Sequence, residues 1–467
     1  MYYHKYIIWE FPIILLLATF FMLLLGSSFN LFSLFISLEG LSLCLYILTA
    51  YDFDRRSSAE AALKYFTLGT LSSGFLLLGI ALIYGAVGSL DYFELYILTQ
   101  ELNPQPLLRI GSFLVFFSFI FKLGAWPCHQ WIPDVYQGAP TIVTAFFATA
   151  VKVTIFLTIV RLFNYIIIEK TLLVIICLMS LLIGILGALK TQKIKRFLAY
   201  AAINQMGFLL LGIFVYATEA TVLYFIFYIL TTLMIFMIIL KVQSFTKQAT
   251  CELTFLSDLK SLGFYNKKIS LYFLIILFSM ASLPPFLTAI TKWYILLIVA
   301  SANYILLLTT TIILTIFSIY YYIKLVKNIA FEYKDLPIKN NSGIFYFIGK
   351  SLENSFLFVL ASILIFGSIF FGPAIAMLDN LCFHSTFFIK IKLMYSRIIT
   401  CFPHLWIFLF SIGLIVFYNF YDNTFEITNL YSNNDYIDTA GWNAASEMKG
   451  GNICSFHDNY LYYSSNL

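Results

Sequence analysis

Charge is scarce in this chain of 467 residues: Asp, Glu, Lys and Arg make up 11% of it, hydrophobic residues 61%, and the mean hydropathy is +0.90. Such a composition excludes a soluble globular domain and requires a polytopic membrane protein. The seven cysteines are scattered, with no C-x-x-C pair, which argues against a structural zinc site or a disulfide framework. The net charge of +5 comes from loop lysines, with no basic patch interleaved with aromatics, so nucleic acid is excluded as a partner. Strict alternation of polar and apolar residues is also missing, and with it the signature of a membrane β-barrel. No small-residue cleavage site follows the first apolar run, so that run reads as a spanning helix and not as a cleavable signal.

What is present is a series of long apolar runs separated by short polar joints. They predict an all-α bundle with membrane helices at 7–25, 29–50, 62–85, 109–138 with an interruption, 141–163, 170–189, 196–217, 220–241, 269–300 with an interruption, 303–326 and 353–378. A twelfth candidate, 402–420, follows the basic residues Lys390, Lys392 and Arg397 and either spans the membrane or lies on its surface. The tail 422–467 is rich in Asn, Tyr and Ser, too polar for a core, and is expected to dock on neighbours or stay mobile. Fifty Phe and thirty-two Tyr with only twenty-three Gly match the residue drift of an AT-rich genome, which hints at organelle encoding.

Basic residues collect in the joints after even-numbered helices: Arg55 and Arg56, then 190–196, 241–268 and 327–350. The opposite joints carry Asp91, Glu94, Glu101 and Glu219. This asymmetry places the basic joints and the N-terminus on the matrix or cytoplasmic side. Two spans are overlong and hold prolines in their middle, Pro127 with Pro133 in the fourth, and the pair Pro284 and Pro285 in the ninth. Proline removes a backbone donor and clashes with the preceding turn, so both helices should break, and breaks at membrane depth are tolerated where they line a polar cavity. The breaks are five helices apart, an odd number, so a five-helix unit repeated along the chain must be inverted in the membrane. The expected units are 1–163, 164–330, a C-terminal stretch 331–421 and the tail.

Four charges lie inside spans: Glu39, Lys122, Lys152 and Lys292. Each costs about 2.5–3.5 kcal/mol on insertion scales, and together about 10–14 kcal/mol, comparable to the stability of a whole domain, so function is the expected reason for their presence. Glu39, Lys122 and Lys152 fall near the centres of their spans and can form one lateral row. A buried lysine whose acidic partner can be moved or neutralised is a proton switch; the plainer reading of Glu39 with Lys122 is a static buried ion pair. Lys292 follows the second break, where the plainer reading is a solvated lysine. Glu60 and Lys64 stand four apart in the favourable order for a helical ion pair, and His129 sits in the Trp-rich joint after Pro127, where it can titrate or serve packing. Tyr200, Asn204 and Gln205 put polar groups inside the seventh span, for bonds across helices or for a water path.

The stretches EAALKYFTLGTLSSGFLLLGIALIYGAVGSL, FKLGAWPCHQWIPDVYQGAPTIVTAFFATAVKV, QKIKRFLAYAAINQMGFLLLG and FSMASLPPFLTAITKWYIL resemble, in unbroken order from residue 1 to about 330, the antiporter-like subunit family of respiratory NADH:ubiquinone oxidoreductase (complex I), subunit 2 branch. The run after Trp126 favours that branch over the sister subunits 4 and 5, as does a lysine at 292. The resemblance implies a mitochondrial inner-membrane location and coupling of electron transfer to proton translocation. It assigns Glu39 and Lys122 to the first half-channel, Lys152 to the central relay and Lys292 to the second half-channel. NADH, flavin, iron-sulfur clusters and ubiquinone are then expected on other subunits, with no cofactor on this chain, in keeping with its missing Gly-rich phosphate loop and cysteine clusters. The expected partners are membrane lipids and other membrane-arm subunits, sister antiporter-like subunits among them. The family usually has three further helices before the first span seen here, so the chain reads as a shortened form or one completed by a separate polypeptide. A stand-alone or Mrp-type cation/proton antiporter is the alternative.

Overall fold

Segments that are apolar on all faces have no water to bond their backbone in a bilayer, so each closes its hydrogen bonds internally as a helix. The computed structural model describes residues 10–52, 55–101, 106–163, 169–245, 254–260, 262, 267–284 and 286–331. Among these, every regular element is helical: α1 (Glu10–Gly26), α2 (Leu31–Thr49), α3 (Arg56–Val87), α4 (Tyr92–Glu101), α5 (Pro106–Leu123), α6 (Trp131–Gly138), α7 (Thr141–Phe146), α8 (Lys152–Leu162), α9 (Lys170–Lys190), α10 (Ile194–Phe214), α11 (Thr218–Phe245), α12 (Lys267–Met280), α13 (Leu287–Ser301) and α14 (Ile305–Ala330). A single π turn, Phe147–Val151, joins α7 and α8 into one span. Eight helical stretches among the described residues are long and apolar enough to cross a membrane; α1, with 17 residues, and α13, with 15, are shorter apolar helices. The first ten expected spans are thus accounted for. The expected spans 353–378 and 402–420, the tail 422–467 and Pro285 lie outside the described residues.

Helix bounds differ from the apolar runs where polar helix formers extend them. α3 starts at Arg56 and not at residue 62, its first turn held by a Ser58 hydroxyl that donates to Thr49 O at 2.5 Å. It ends at Gly88, whose φ of 81° is a left-handed cap that glycine adopts without strain. The short helix α4, which hydropathy does not reveal, is tied back to the start of α2 by Asn30 Nδ2 donating to Asp91 Oδ1 at 2.9 Å. Arg161 at the end of α8 donates to Gly26 O at 3.2 Å and lies over the rings of Phe29 and Tyr92, fixing α1 to that corner.

Without a hydrophobic drive between helices in lipid, close packing of small residues holds the bundle. α3 and α5 touch at Gly79 and Gly111: a Cβ on Gly79 would lie 2.8 Å from Gly111 O, and one on Gly111 would lie 3.0 Å from Gly79 O. α9 packs on α10 in the same way, where a Cβ on Gly184 would meet Asn204 N at 2.6 Å. α10 is buried along its whole length except at Arg196 and Tyr200, making it the central helix of the second half. α11 packs against α10, α12 and α13, and α14 closes that group against α9 and α12.

Candidate functional site: buried lysines and two helix breaks

Both breaks fall where the prolines announce them. α5 stops at Leu123, and the chain turns through Gly124 (φ 73°) and Pro127 into α6, with Pro133 in the first helical turn, where its missing N–H is not needed. α12 stops at Met280, and α13 begins at Leu287 beyond Pro284. A break frees carbonyl oxygens at membrane depth, and side chains capture them. The Trp131 indole N–H donates to Phe121 O at 2.9 Å; at the second break, Thr288 Oγ1 donates to Ser279 O and Gln205 Nε2 donates to Met280 O at 3.4 Å.

Lys122, Lys152 and Lys292 retain 7%, 4% and 6% of their exposure, and none forms an ion pair among the described residues. Isolated buried ammonium groups are strongly disfavoured, so their surroundings decide what they can do. Lys122 occupies the last turn of α5, where the negative end of the helix dipole favours a cation. Its Nζ is buried without a hydrogen-bond partner among the described residues; Glu39, half-buried in α2, is close enough to act on it through its charge. The structure therefore brings Glu39 and Lys122 into electrostatic reach without direct contact.

Lys152 is the first residue after the π turn. A π turn adds one residue per turn and so re-aims the side chains that follow it. Here Nζ donates to the Tyr228 hydroxyl at 3.4 Å and stands 5.8 Å from the ring centres of both Tyr136 and Tyr228. A cavity of about 10 Å³, lined by Tyr136, Tyr228, Thr232 and Met280 among others, adjoins this contact and has room for about one water. Lys292, in the second turn of α13, faces the rings of Phe208 (5.3 Å) and Tyr224 (5.6 Å). Cation–π contacts of this kind contribute about 2 kcal/mol when desolvated, and they hold the ammonium without neutralising it.

Polar groups from α10, α11 and α14 gather around Tyr224, the ring that Lys292 faces. The Tyr224 hydroxyl bonds to Gln205 Oε1, Asn204 Nδ2 donates to Tyr321 Oη at 3.1 Å, and the buried Tyr322 hydroxyl neighbours both Tyr321 and Gln205. Sequence reasoning picked out Asn204 and Gln205 but passed over Tyr224 and Tyr228. Their one signal was a four-residue spacing on one helix face, hard to notice among thirty-two tyrosines.

Of the remaining expected residues, Glu60 and Lys64 form the i,i+4 pair at 2.7 Å. Lys64 also bonds Asp134 of α6 at 3.0 Å, and Arg196 of α10 bonds the other Asp134 oxygen at 2.7 Å, so this carboxylate ties α3, α6 and α10 together near one end. His129 sits half-buried in the turn before α6, its Nδ1 3.2 Å from Pro127 O. No cluster of His, Cys, Asp or Glu able to hold a metal occurs among the described residues.

Residues 28–318 match the family model described as the transmembrane part of NADH:quinone oxidoreductase and Mrp antiporters. NADH-quinone oxidoreductase subunit N of Ruthia magnifica subsp. Calyptogena magnifica is 37% identical over 348 residues, 70% of each chain. NADH-ubiquinone oxidoreductase chain 2 of Marchantia polymorpha is 32% identical over 335 residues, covering 69% of this chain and 67% of its own. Among solved structures, a chain of respiratory complex I from Thermus thermophilus is 30% identical, with a TM-score of 0.66 and 78% of each chain covered. A chain of the Mrp complex from Dietzia sp. shares the fold at 19% identity, with a TM-score of 0.68 over 78% of this chain and 75% of its own.

Proposed function

Because this chain belongs to the NADH:quinone oxidoreductase/Mrp antiporter transmembrane family, we propose that it is a proton-translocating subunit in the membrane arm of respiratory complex I, of the subunit 2 type. The observation that carries this reading is that Lys122, Lys152 and Lys292, one in each of α5, α8 and α13, are buried without ion-paired carboxylates among the described residues, two of them beside helix breaks. Redox energy released on other subunits shifts the Glu39 and Lys122 pair, charge passes to Lys152, and Lys292 releases a proton to the far side. Each proton moved against the membrane potential requires about 2.3 kcal/mol per 100 mV. An ammonium group held by aromatic faces and a hydroxyl can lose its proton without stranding a counter-charge, as a relay needs.

The chain itself supplies no redox group; NADH, flavin, iron-sulfur clusters and ubiquinone belong to its partners. Residues 1–163 and 164–330 act as two inverted halves, one around each break. The Phe- and Tyr-rich composition and the relative in Marchantia polymorpha support a mitochondrial form in the inner membrane, and the basic joints support an N-terminus toward the matrix. The relatives' names favour an oxidoreductase subunit over an Mrp-type antiporter, for which the likeness is one of fold. Mildly solubilised native membranes resolved on a non-denaturing gel test the assignment. Co-migration of this chain with a very large band that stains for NADH dehydrogenase supports it. Recovery only in a small band without that activity, with ion flux by the isolated chain, moves the protein to the antiporter class.

A further inference from the structure

The hydrogen bonds around Gln205 have a fixed direction. A backbone carbonyl only accepts, so the amide nitrogen of Gln205 must face Met280 O and its oxygen must face Tyr224. Tyr224 is therefore the donor, and its proton points at Gln205, away from Lys292, whose ammonium stands over the same ring. On the other side, the Lys152 ammonium donates to Tyr228, one turn along α11, which leaves the Tyr228 proton free to point onward. Tyr228 has Tyr136, Tyr322 and Tyr224 as its hydroxyl-bearing neighbours, Tyr224 one turn back on the same helix. Donors thus run from Lys152 to Tyr228 and, in a separate run, from Tyr224 through Gln205 to the Met280 carbonyl, so that the second run ends on that carbonyl instead of on Lys292.

We propose that Gln205 is a positioning residue that latches this leg of the proton path. While it holds the Tyr224 proton, Lys152 and Lys292 are disconnected; when the break at Met280 moves and draws the amide away, the Tyr224 hydroxyl turns to Lys292. One proton then leaves the Lys152 ammonium for the Tyr228 oxygen, the Tyr228 proton passes to the Tyr224 oxygen, directly or over a water, and the Tyr224 proton passes to neutral Lys292. Both hydroxyls end neutral, and one charge has moved from Lys152 to Lys292. The latch prevents the reverse passage when the break is closed. This inference rests on the proposed proton-translocating role.

The test uses the assembled complex in sealed native membrane vesicles, reading subunit content, NADH oxidation, protons moved per NADH and the acceleration given by an uncoupler. Gln205→Met fills the same space without either bond: NADH oxidation is kept while protons per NADH fall and the uncoupler loses its effect. Tyr224→Phe removes only the hydroxyl and slows NADH oxidation about tenfold, the size expected for one hydrogen-bonding group at a transfer step. Gln205→Glu, neutral when buried, repeats both bonds and restores coupling. Unchanged proton yield and uncoupler response in Gln205→Met overturn the latch, as does equal slowing of Gln205→Met and Tyr224→Phe with matching loss of the subunit. Should Gln205→Met fail to assemble, Tyr224→Phe decides, and unchanged turnover there overturns the proposal. Lys152→Met serves as the reference: full pumping in that variant overturns the function itself, whereas pumping lost there and kept in Gln205→Met and Tyr224→Phe overturns the latch alone.

Discussion

Trp131 holds the first helix break closed, and replacing it should separate the two ways it does so. Its ring is buried, stacked 4.8 Å from Tyr65 and 5.6 Å from Phe121, and its N–H reaches Phe121 O across the break. Trp131→Phe keeps a ring between the two partners but removes the donor. Phe121 O still accepts from Gly124 N at 3.0 Å, so the loss is that of one ordinary hydrogen bond and a little ring area, about 1–2 kcal/mol. Trp131→Ala also opens a cavity and abolishes both stacks, about 3–5 kcal/mol for the truncation as a whole. The assay is a thermal ramp of the purified complex, following retention of this chain on a native gel, alongside proton pumping at a temperature where both variants remain assembled. The expected order is native, then Phe, then Ala, with the Phe variant still pumping. Equal stability of Ala and Phe, or of Ala and native, would refute the view that this side chain secures the turn next to Lys122.

Gly79→Leu should separate α3 from α5, because even a Cβ there meets backbone oxygen at 2.8 Å; overpacking of about 1–3 kcal/mol or more is expected as reduced recovery of assembled subunit, while Gly74→Leu, where a Cβ meets nothing within 4 Å, should be tolerated. Asp134→Asn loses the charge shared by Lys64 and Arg196, whose side chains are 44% and 41% exposed, so screening limits the cost to about 1 kcal/mol; the stability difference from native, read in the same thermal ramp, should shrink as salt is raised.

The break positions were legible because proline acts locally: Pro127 and Pro284 stop α5 and α12 whatever packs around them. The buried lysines were legible because an apolar run shows up any charge within it. The π turn before Lys152 was not, since the segment FFATAVKV reads as ordinary helix and nothing in it marks the turn's packing against α11. Asp134 carries no signal of its role in sequence; its value comes from α3 and α10 meeting there, which depends on tertiary structure. Tyr224 and Tyr228 look like core aromatics in sequence, and only the side-chain directions on α11 turn one of them toward Lys152 and the other toward Gln205.

The most direct test of the account is the proton yield of Lys152→Met in the assembled complex. Methionine matches the length of the lysine stem and removes the charge that Tyr136 and Tyr228 surround. With the subunit present at native levels, the account predicts impaired proton movement and slowed NADH oxidation. Native rate and native protons per NADH would contradict it.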